Sequence, residues 1–266
     1  MHWPWATKEP GCGNSAAAIE KIMKHKFYRE DLAYIHDAGF LGFSRRAAPH
    51  VLKRLERRCE PGATVVEIGC GSGGLTKALT KAGYRVLGVD VSSAMIRLAR
   101  RKAPKAKYQV TSCYRFTPPP CDAIVGTGHC LNYLSTDRKR HVRAVAAFLK
   151  RAGAALRPGG MLLFDFQEPW PDHPSVRSFH ACGADWAVLV NAVERRGLIT
   201  RQITAIRFVA GRCRCSQECH RQCRLSRRQL AQALRVAGFV VTFHDGYGGM
   251  HLPPGHAVVE ALKTFP

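Results

Sequence analysis

From Val65 to Gly74 the chain reads Val-Val-Glu-Ile-Gly-Cys-Gly-Ser-Gly-Gly, and a second apolar run ends at Asp90. A buried strand that breaks into closely spaced glycines before a helix restricts the fold more than anything else in these 266 residues. Glycine lets backbone pass close to a ligand because no Cβ intervenes, and the N–H groups opening the next helix can face an anionic group. Asp90 follows Gly71 by 19 positions, where a carboxylate can accept hydrogen bonds from ribose hydroxyls. The segment predicts an adenosine-type ligand. Gly69, Gly71 and Gly74 satisfy the dinucleotide spacing G-x-G-x-x-G, which is weak by itself. Glu67, Gly69, Gly71 and Gly73 equally satisfy E-x-G-x-G-x-G, and a bare strand-to-helix turn is the plainer alternative.

The patterning around this turn alternates. Strands are predicted at 63–68, 85–90, Lys107–Ser112, Asp122–Thr127 and Met161–Phe166, with helices at 74–82, 92–102 (Ser92 as N-cap) and Asp137–Leu156 between them. Such alternation implies βαβ units and a parallel sheet. Helices are expected earlier, at Ala16–Lys26, Tyr28–His36 and Ala47–Arg58. Beyond Pro169 the texture becomes β: Asp185–Val193 and Leu198–Val209 flank an Arg195-Arg196-Gly197 turn, and a Cys-rich strand spans Arg212–Arg224. A helix at Ser226–Ala237 and strands at Phe239–His244 and His256–Leu262 complete the chain.

Taken together, Glu67–Gly73, Asp90 in Gly-Val-Asp-Val-Ser, Asn132-Tyr133-Leu134 and Leu156-Arg157-Pro158-Gly159-Gly160 resemble the ordered motifs of class I S-adenosylmethionine (SAM) methyltransferases. The resemblance implies an α/β, Rossmann-like sheet of seven strands whose last strand runs antiparallel between the fifth and sixth. It also implies N-terminal helices and a β-hairpin insertion after strand five. The expected divisions are a helical cap (1–59), a SAM-binding core (60–168), an antiparallel insertion over the active site (169–225) and a completing segment (226–266). SAM would contact Glu67, Gly69, Cys70, Gly71, Gly73, Asp90, Val91, Ser112, Cys113, Thr127 and Gly128. Thr111-Ser112-Cys113-Tyr114 departs from the Asp often found facing the adenine amino group, so Ser112 would take that hydrogen bond.

Three residues are candidates for catalysis. His129 follows strand four, at the carboxyl ends of the parallel strands where ligands of open α/β sheets bind. Its ordinary pKa suits a base, and packing beneath the cofactor is the alternative. Glu218 and His220 lie two apart in a strand and so share a face, which either covers the acceptor or forms a polar outer surface. Gln167 and Glu168 should face the same cleft, Asp165 should orient the loop, and Tyr28, Tyr34 and His36 could line a lid.

Charge and cysteine content limit the partners. The balance of 41 Lys+Arg against 19 Asp+Glu, a net +22, favours anionic partners. The basic residues are scattered with little aromatic interleaving, so a small acceptor, which the positive charge allows to be anionic, is preferred over nucleic acid. Gly128-His129-Cys130-Leu131 also replaces the tetrapeptide usual in DNA amino-methyltransferases. A non-catalytic SAM-binding protein and, more remotely, a dehydrogenase are the other readings. Cys213, Cys215, Cys219 and Cys223 do not have the usual zinc spacing, and no metal is expected. With no long apolar segment and no leader-like N-terminus, a cytoplasmic monomer or homodimer without membrane contact is anticipated.

Overall fold

The computed structural model describes residues 27–134, 137–170 and 175–265; the helix expected at Ala16–Lys26 lies outside them. Seven strands form the main sheet: β1 (Thr64–Ile68), β2 (Arg85–Asp90), β3 (Lys107–Val110), β4 (Cys121–Gly126), β5 (Leu156–Gln167), β10 (Phe239–His244) and β11 (His256–Lys263). Their order is β10-β11-β5-β4-β1-β2-β3, and β11 is antiparallel to both its neighbours. This is the architecture the motifs imply.

Helices cover both faces, which is why the central strands are mainly apolar runs rather than alternating. Val51 and Leu55 of α2 (Gly42–Glu56) and Leu75 and Leu79 of α3 (Gly74–Lys81) pack on one face. Phe148 and Leu149 of α5 (Arg138–Ala155) and Leu230 and Leu234 of α6 (Arg227–Val236) pack on the other. Helix α4 (Ser93–Lys102) packs near α1 (Glu30–Gly39). Three helix starts are set by side-chain caps: Ser92, Asp137 and Ser226 accept from the backbone N–H of Met95, Arg140 and Gln229, satisfying donors the helix leaves free.

Two local expectations change. Helix α1 starts at Glu30 rather than Tyr28, because Tyr28 has φ +51° and its N–H and that of Arg29 donate to Glu218, each at 2.7 Å. The Leu156–Gly160 turn belongs to β5. Cys121 pairs with Leu156 and Ala123 with Met161, so the intervening residues bulge outward. Arg157 holds this bulge through Asp122 and the Arg58 carbonyl, both at 2.6 Å.

The insertion is larger than a hairpin. It is a four-stranded antiparallel sheet of β6 (Val176–Cys182), β7 (Trp186–Arg195), β8 (Leu198–Val209) and β9 (Arg212–Cys223) in sequential order. Arg196 and Gly197 both take positive φ between β7 and β8, as a two-residue hairpin loop matching strand twist requires. Strand β6 escapes prediction because it is an edge with exposed residues on both faces, leaving no polar-apolar alternation to detect. The inner face of β7 and β8, with Trp186, Val188, Val190 and Ile203, packs on Leu32 and Ile35 of α1. Helix α1 and the inserted sheet therefore stand together above the carboxyl ends of the parallel strands.

Candidate active site

A cavity of about 980 Å³ lies where those strand ends meet α1 and the inserted sheet. Its floor is the glycine turn after β1. Gly69, Gly71 and Gly73 all have positive φ, a region costly for residues with a Cβ. Two of them differ instructively. A Cβ on Gly69 would come within 2.5 Å of Cys130 Cβ, whereas a Cβ on Gly71 would meet nothing within 4 Å. Gly69 thus allows the β4 loop to approach, and Gly71 leaves its side open to the cavity.

Asp90 joins this turn to β2. Its Oδ2 accepts from Gly71 N at 2.9 Å and its Oδ1 from Ser92 N at 2.8 Å. A carboxylate has about four acceptor positions, so two remain for a ligand beside the glycines. Glu67, also lining the cavity, accepts from the Thr76 hydroxyl. Burial pushes its pKa up to about 8, against the lowering effect of Thr76. Glu67 is therefore largely a neutral acid at neutral pH, fixing the start of α3 without adding negative charge.

Val91, Ser112 and Cys113 line one end of the cavity. Val91 and the neighbouring Val110 are 45% and 49% exposed, giving apolar edges suited to a flat base. Ser112 Oγ accepts from Tyr114 N at 3.3 Å and retains its own hydrogen to donate. Burial raises the thiol pKa of Cys113 to about 12 and those of Cys70 and Cys130 well above the usual range. All three line the cavity as neutral thiols, so none is an anionic nucleophile facing an electrophilic ligand. These residues fit SAM: a glycine cradle, a carboxylate for a diol and apolar edges for a base.

Thr127, Gly128 and His129 form the wall after β4. His129 has φ +60°, held by Asp165 at the end of β5. Asp165 accepts from Gly128 N at 2.9 Å, His129 N at 3.1 Å and the Tyr247 hydroxyl at 2.8 Å. His129 Nε2 lies 3.1 Å from Asp165 Oδ2 without hydrogen-bond alignment. Burial, reinforced by the charges of Arg201 and Arg224, lowers His129 to about 4, and burial raises Asp165 to about 6. At neutral pH the pair is thus a neutral imidazole beside a carboxylate.

Glu218 and His220 do share a face, but it is the buried inner face, 6% and 1% exposed, and they lie outside the cavity lining. Glu218 binds the Tyr28 and Arg29 amides and His220 Nε2 at 2.8 Å, fixing the entry to α1. Gln167 lines the cavity. Glu168 instead makes a bidentate pair with Arg227 at 2.7 and 2.8 Å. Tyr28 and His36 line the cavity, whereas Tyr34 donates to Asp185 at 2.8 Å beneath Arg207. Asn132 ties three segments together: it donates to the Gln167 and Cys223 carbonyls and accepts from Gln167 N.

The cysteines of β9 are dispersed. Cys213 and Cys215 are exposed and Cys223 is buried at the opposite end, roughly 26–33 Å away at strand spacing. Among the described residues no three His, Cys, Asp or Glu side chains converge as a metal site, and no helix is long and apolar enough to cross a membrane.

Arg201 was not signalled by any motif, yet it reaches the cavity from β8. The clue is parity. Ile199, Arg201, Ile203 and Ala205 alternate onto one face, so a cation occupies an otherwise apolar row.

The family profile described as "Methyltransferase domain" matches residues 65–160. A ubiquinone biosynthesis O-methyltransferase of Methylobacterium sp. is 33% identical over 139 residues, covering 52% of this chain and 51% of that protein. Another, from Bradyrhizobium diazoefficiens, is 30% identical over 177 residues, covering 59% and 64%. The chain thus spans between half and two thirds of these relatives' lengths. By structure, a SAM-dependent methyltransferase from Clostridium acetobutylicum aligns with TM-score 0.73 at 13% identity, over 88% of this chain and 98% of that one. The SAM-bound amino pentose methyltransferase CalS10 of Micromonospora echinaspora aligns with TM-score 0.67 at 19% identity, over 91% and 99%. The glycine turn, Asp90, the inverted last strand and these likenesses agree: the chain has the class I SAM-dependent methyltransferase fold, and its residues 65–160 match the methyltransferase domain.

Proposed function

We propose that this protein transfers the methyl group of SAM to an oxygen or nitrogen atom of a small, negatively charged molecule. One observation carries the reading: the glycine cradle and the inserted sheet bound the same cavity, so donor and acceptor would share one enclosure. The relatives are named as O-methyltransferases, and CalS10 as an amino pentose methyltransferase. The division into cap, core, insertion and completing segment is part of this reading, as is a cytoplasmic monomer or homodimer.

When bound, SAM supplies an electrophilic methyl group. Gly69, Cys70, Gly71, Gly73 and Glu67 would hold it along the turn, Asp90 at the ribose, and Val91, Ser112 and Cys113 around the base. Thr127 and Gly128 would close the side towards the acceptor. Aromatic and aliphatic walls, including Phe40, Phe43, Val188 and Ile203, would exclude water and hold the acceptor in line. Positioning of this kind contributes about 7–11 kcal/mol in favourable intramolecular cases.

His129 is assigned as the base for a phenol, alcohol or ammonium acceptor. With Nε2 turned to Asp165, Nδ1 is left to take the proton, and the Asp165 carboxylate stabilises the resulting imidazolium. Glu218 and His220 are reassigned from catalysis to positioning, because they reach the site through Tyr28.

The test is incubation of the full chain with methyl-labelled SAM and fractionated small-molecule extracts, with mass spectrometry of the products. A labelled small acid or amine with stoichiometric S-adenosylhomocysteine is expected. Release of none with any fraction, or label confined to RNA or DNA, would reject the reading.

A further inference from the structure

We propose that Arg201, with the Tyr28 and Tyr133 hydroxyls, forms an anion-binding subsite that recognises a carboxylate on the methyl acceptor. The assignment rests on the methyltransferase reading and identifies where that enzyme would read its substrate's charge.

Arg201 is partly buried and lines the cavity from β8. Its charge is felt widely there, at His129, His36 and His220 as well as at the phenols of Tyr28 and Tyr133. Three arginines in or next to the sheet have carboxylate partners. Arg224 pairs with Glu194 at 2.6 Å, Arg214 with Asp31 at 3.0 Å, and Arg207 with Asp185 at 3.5 Å and Asp31 at 3.7 Å. Among the described residues no carboxylate makes such a pair with Arg201. A half-desolvated guanidinium without a counter-charge is costly to the fold unless a ligand supplies one.

Hydrogen bonding points the same way. A guanidinium offers five N–H donors and no acceptor. The Tyr28 and Tyr133 hydroxyls lie 2.8 Å apart, so one donates to the other and the second hydroxyl hydrogen stays available. The local excess is therefore of donors, matched by the two oxygens of a carboxylate. The buried Nδ1 of His36 also lacks a partner in this lining and can carry a further donor hydrogen. At the cavity floor stands the Asp90 carboxylate, beside Glu67 held as a neutral acid. This polarity would turn an acidic acceptor with its carboxylate towards the inserted sheet and its opposite end towards the methyl donor. The aromatic walls at Phe27 and Phe40 suit a planar acceptor body.

The experiment compares an acid with its neutral isostere. The full chain, saturated with S-adenosylhomocysteine, is titrated calorimetrically with 3,4-dihydroxybenzoate and with 3,4-dihydroxybenzamide. The acid is expected to bind about 10- to 100-fold more tightly, as a charge-assisted bidentate contact allows. Arg201→Gln should reduce the acid to the level of the amide with S-adenosylhomocysteine affinity unchanged. Arg201→Lys should retain part of the preference, and Tyr133→Phe should lose less than Arg201→Gln. Equal affinity of wild type for acid and amide, or no saturable binding of the acid, would overturn the assignment. So would an undiminished preference in Arg201→Gln. Should Arg201→Gln not fold, the wild-type ratio and Tyr133→Phe still decide it. Failure of wild type to bind S-adenosylhomocysteine undoes the methyltransferase reading and this subsite together, whereas binding it without acid preference undoes the subsite alone.

Discussion

Asp90 offers the most direct test of the cofactor pose. Its two carboxylate oxygens each accept one backbone N–H, from Gly71 at 2.9 Å and Ser92 at 2.8 Å. The remaining acceptor positions would serve a ribose diol. Asp90→Ala removes both kinds of contact. Two charge-assisted hydrogen bonds to the ligand, at about 1.5–3 kcal/mol each, amount to roughly 3–6 kcal/mol, or a 10²- to 10⁴-fold weaker dissociation constant. The loop contacts are a separate loss, expected to lower unfolding stability by about 1–3 kcal/mol. Asp90→Asn keeps the size and one acceptor but turns an N–H₂ towards a backbone donor, so its affinity should fall between wild type and alanine. Calorimetric titration with S-adenosylhomocysteine reads the affinity without turnover, and urea unfolding of the same samples reads the fold. An Asp90→Ala protein that is folded and binds within about threefold of wild type would refute the ribose assignment.

Three further outcomes follow from buried groups. His129→Gln should lower kcat by about 10²- to 10⁴-fold with unchanged affinity for S-adenosylhomocysteine, and wild-type kcat/KM should fall as pH drops through about 6, where Asp165 is protonated; unchanged turnover would remove His129 as base. Glu67 has its folded pKa raised to about 8 from 4.5, so the folded state retains a proton that the unfolded chain has released. Its contribution to stability is full below pH 4.5 and is lost through about 8, at up to about 1.4 kcal/mol per pH unit. The wild-type-minus-Glu67→Gln difference in urea unfolding should show that slope, and a flat difference would contradict it. Glu218→Ala should destabilise by about 2–4 kcal/mol and speed amide exchange at Tyr28 and Arg29 while leaving the Gly69–Gly73 amides protected; unaltered exchange at Tyr28 would show that Glu218 does not hold the entry to α1.

How much the sequence revealed depends on the range over which its signals act. The glycine turn, Asp90 and the cap at Ser92 were legible because each acts on backbone a few residues away or at the next strand end. The parallel strands were legible because burial on both faces selects unbroken apolar runs. The four-strand extent of the insertion was not, since edge strand β6 has no buried face to impose alternation.

Sequence alone therefore determined the half of the cavity proposed for the methyl donor: a strand, a positive-φ glycine turn and a carboxylate are a local device that carries its own geometry. Tertiary structure decided the half proposed for the acceptor. Tyr28 meets Glu218 across 190 positions and Tyr133 across 105, and Arg201 enters the cavity only because β8 packs over α1. Nothing in the spacing of those residues encodes their meeting. It follows from burying the apolar face of the inserted sheet, which brings one cation on that face to the cavity.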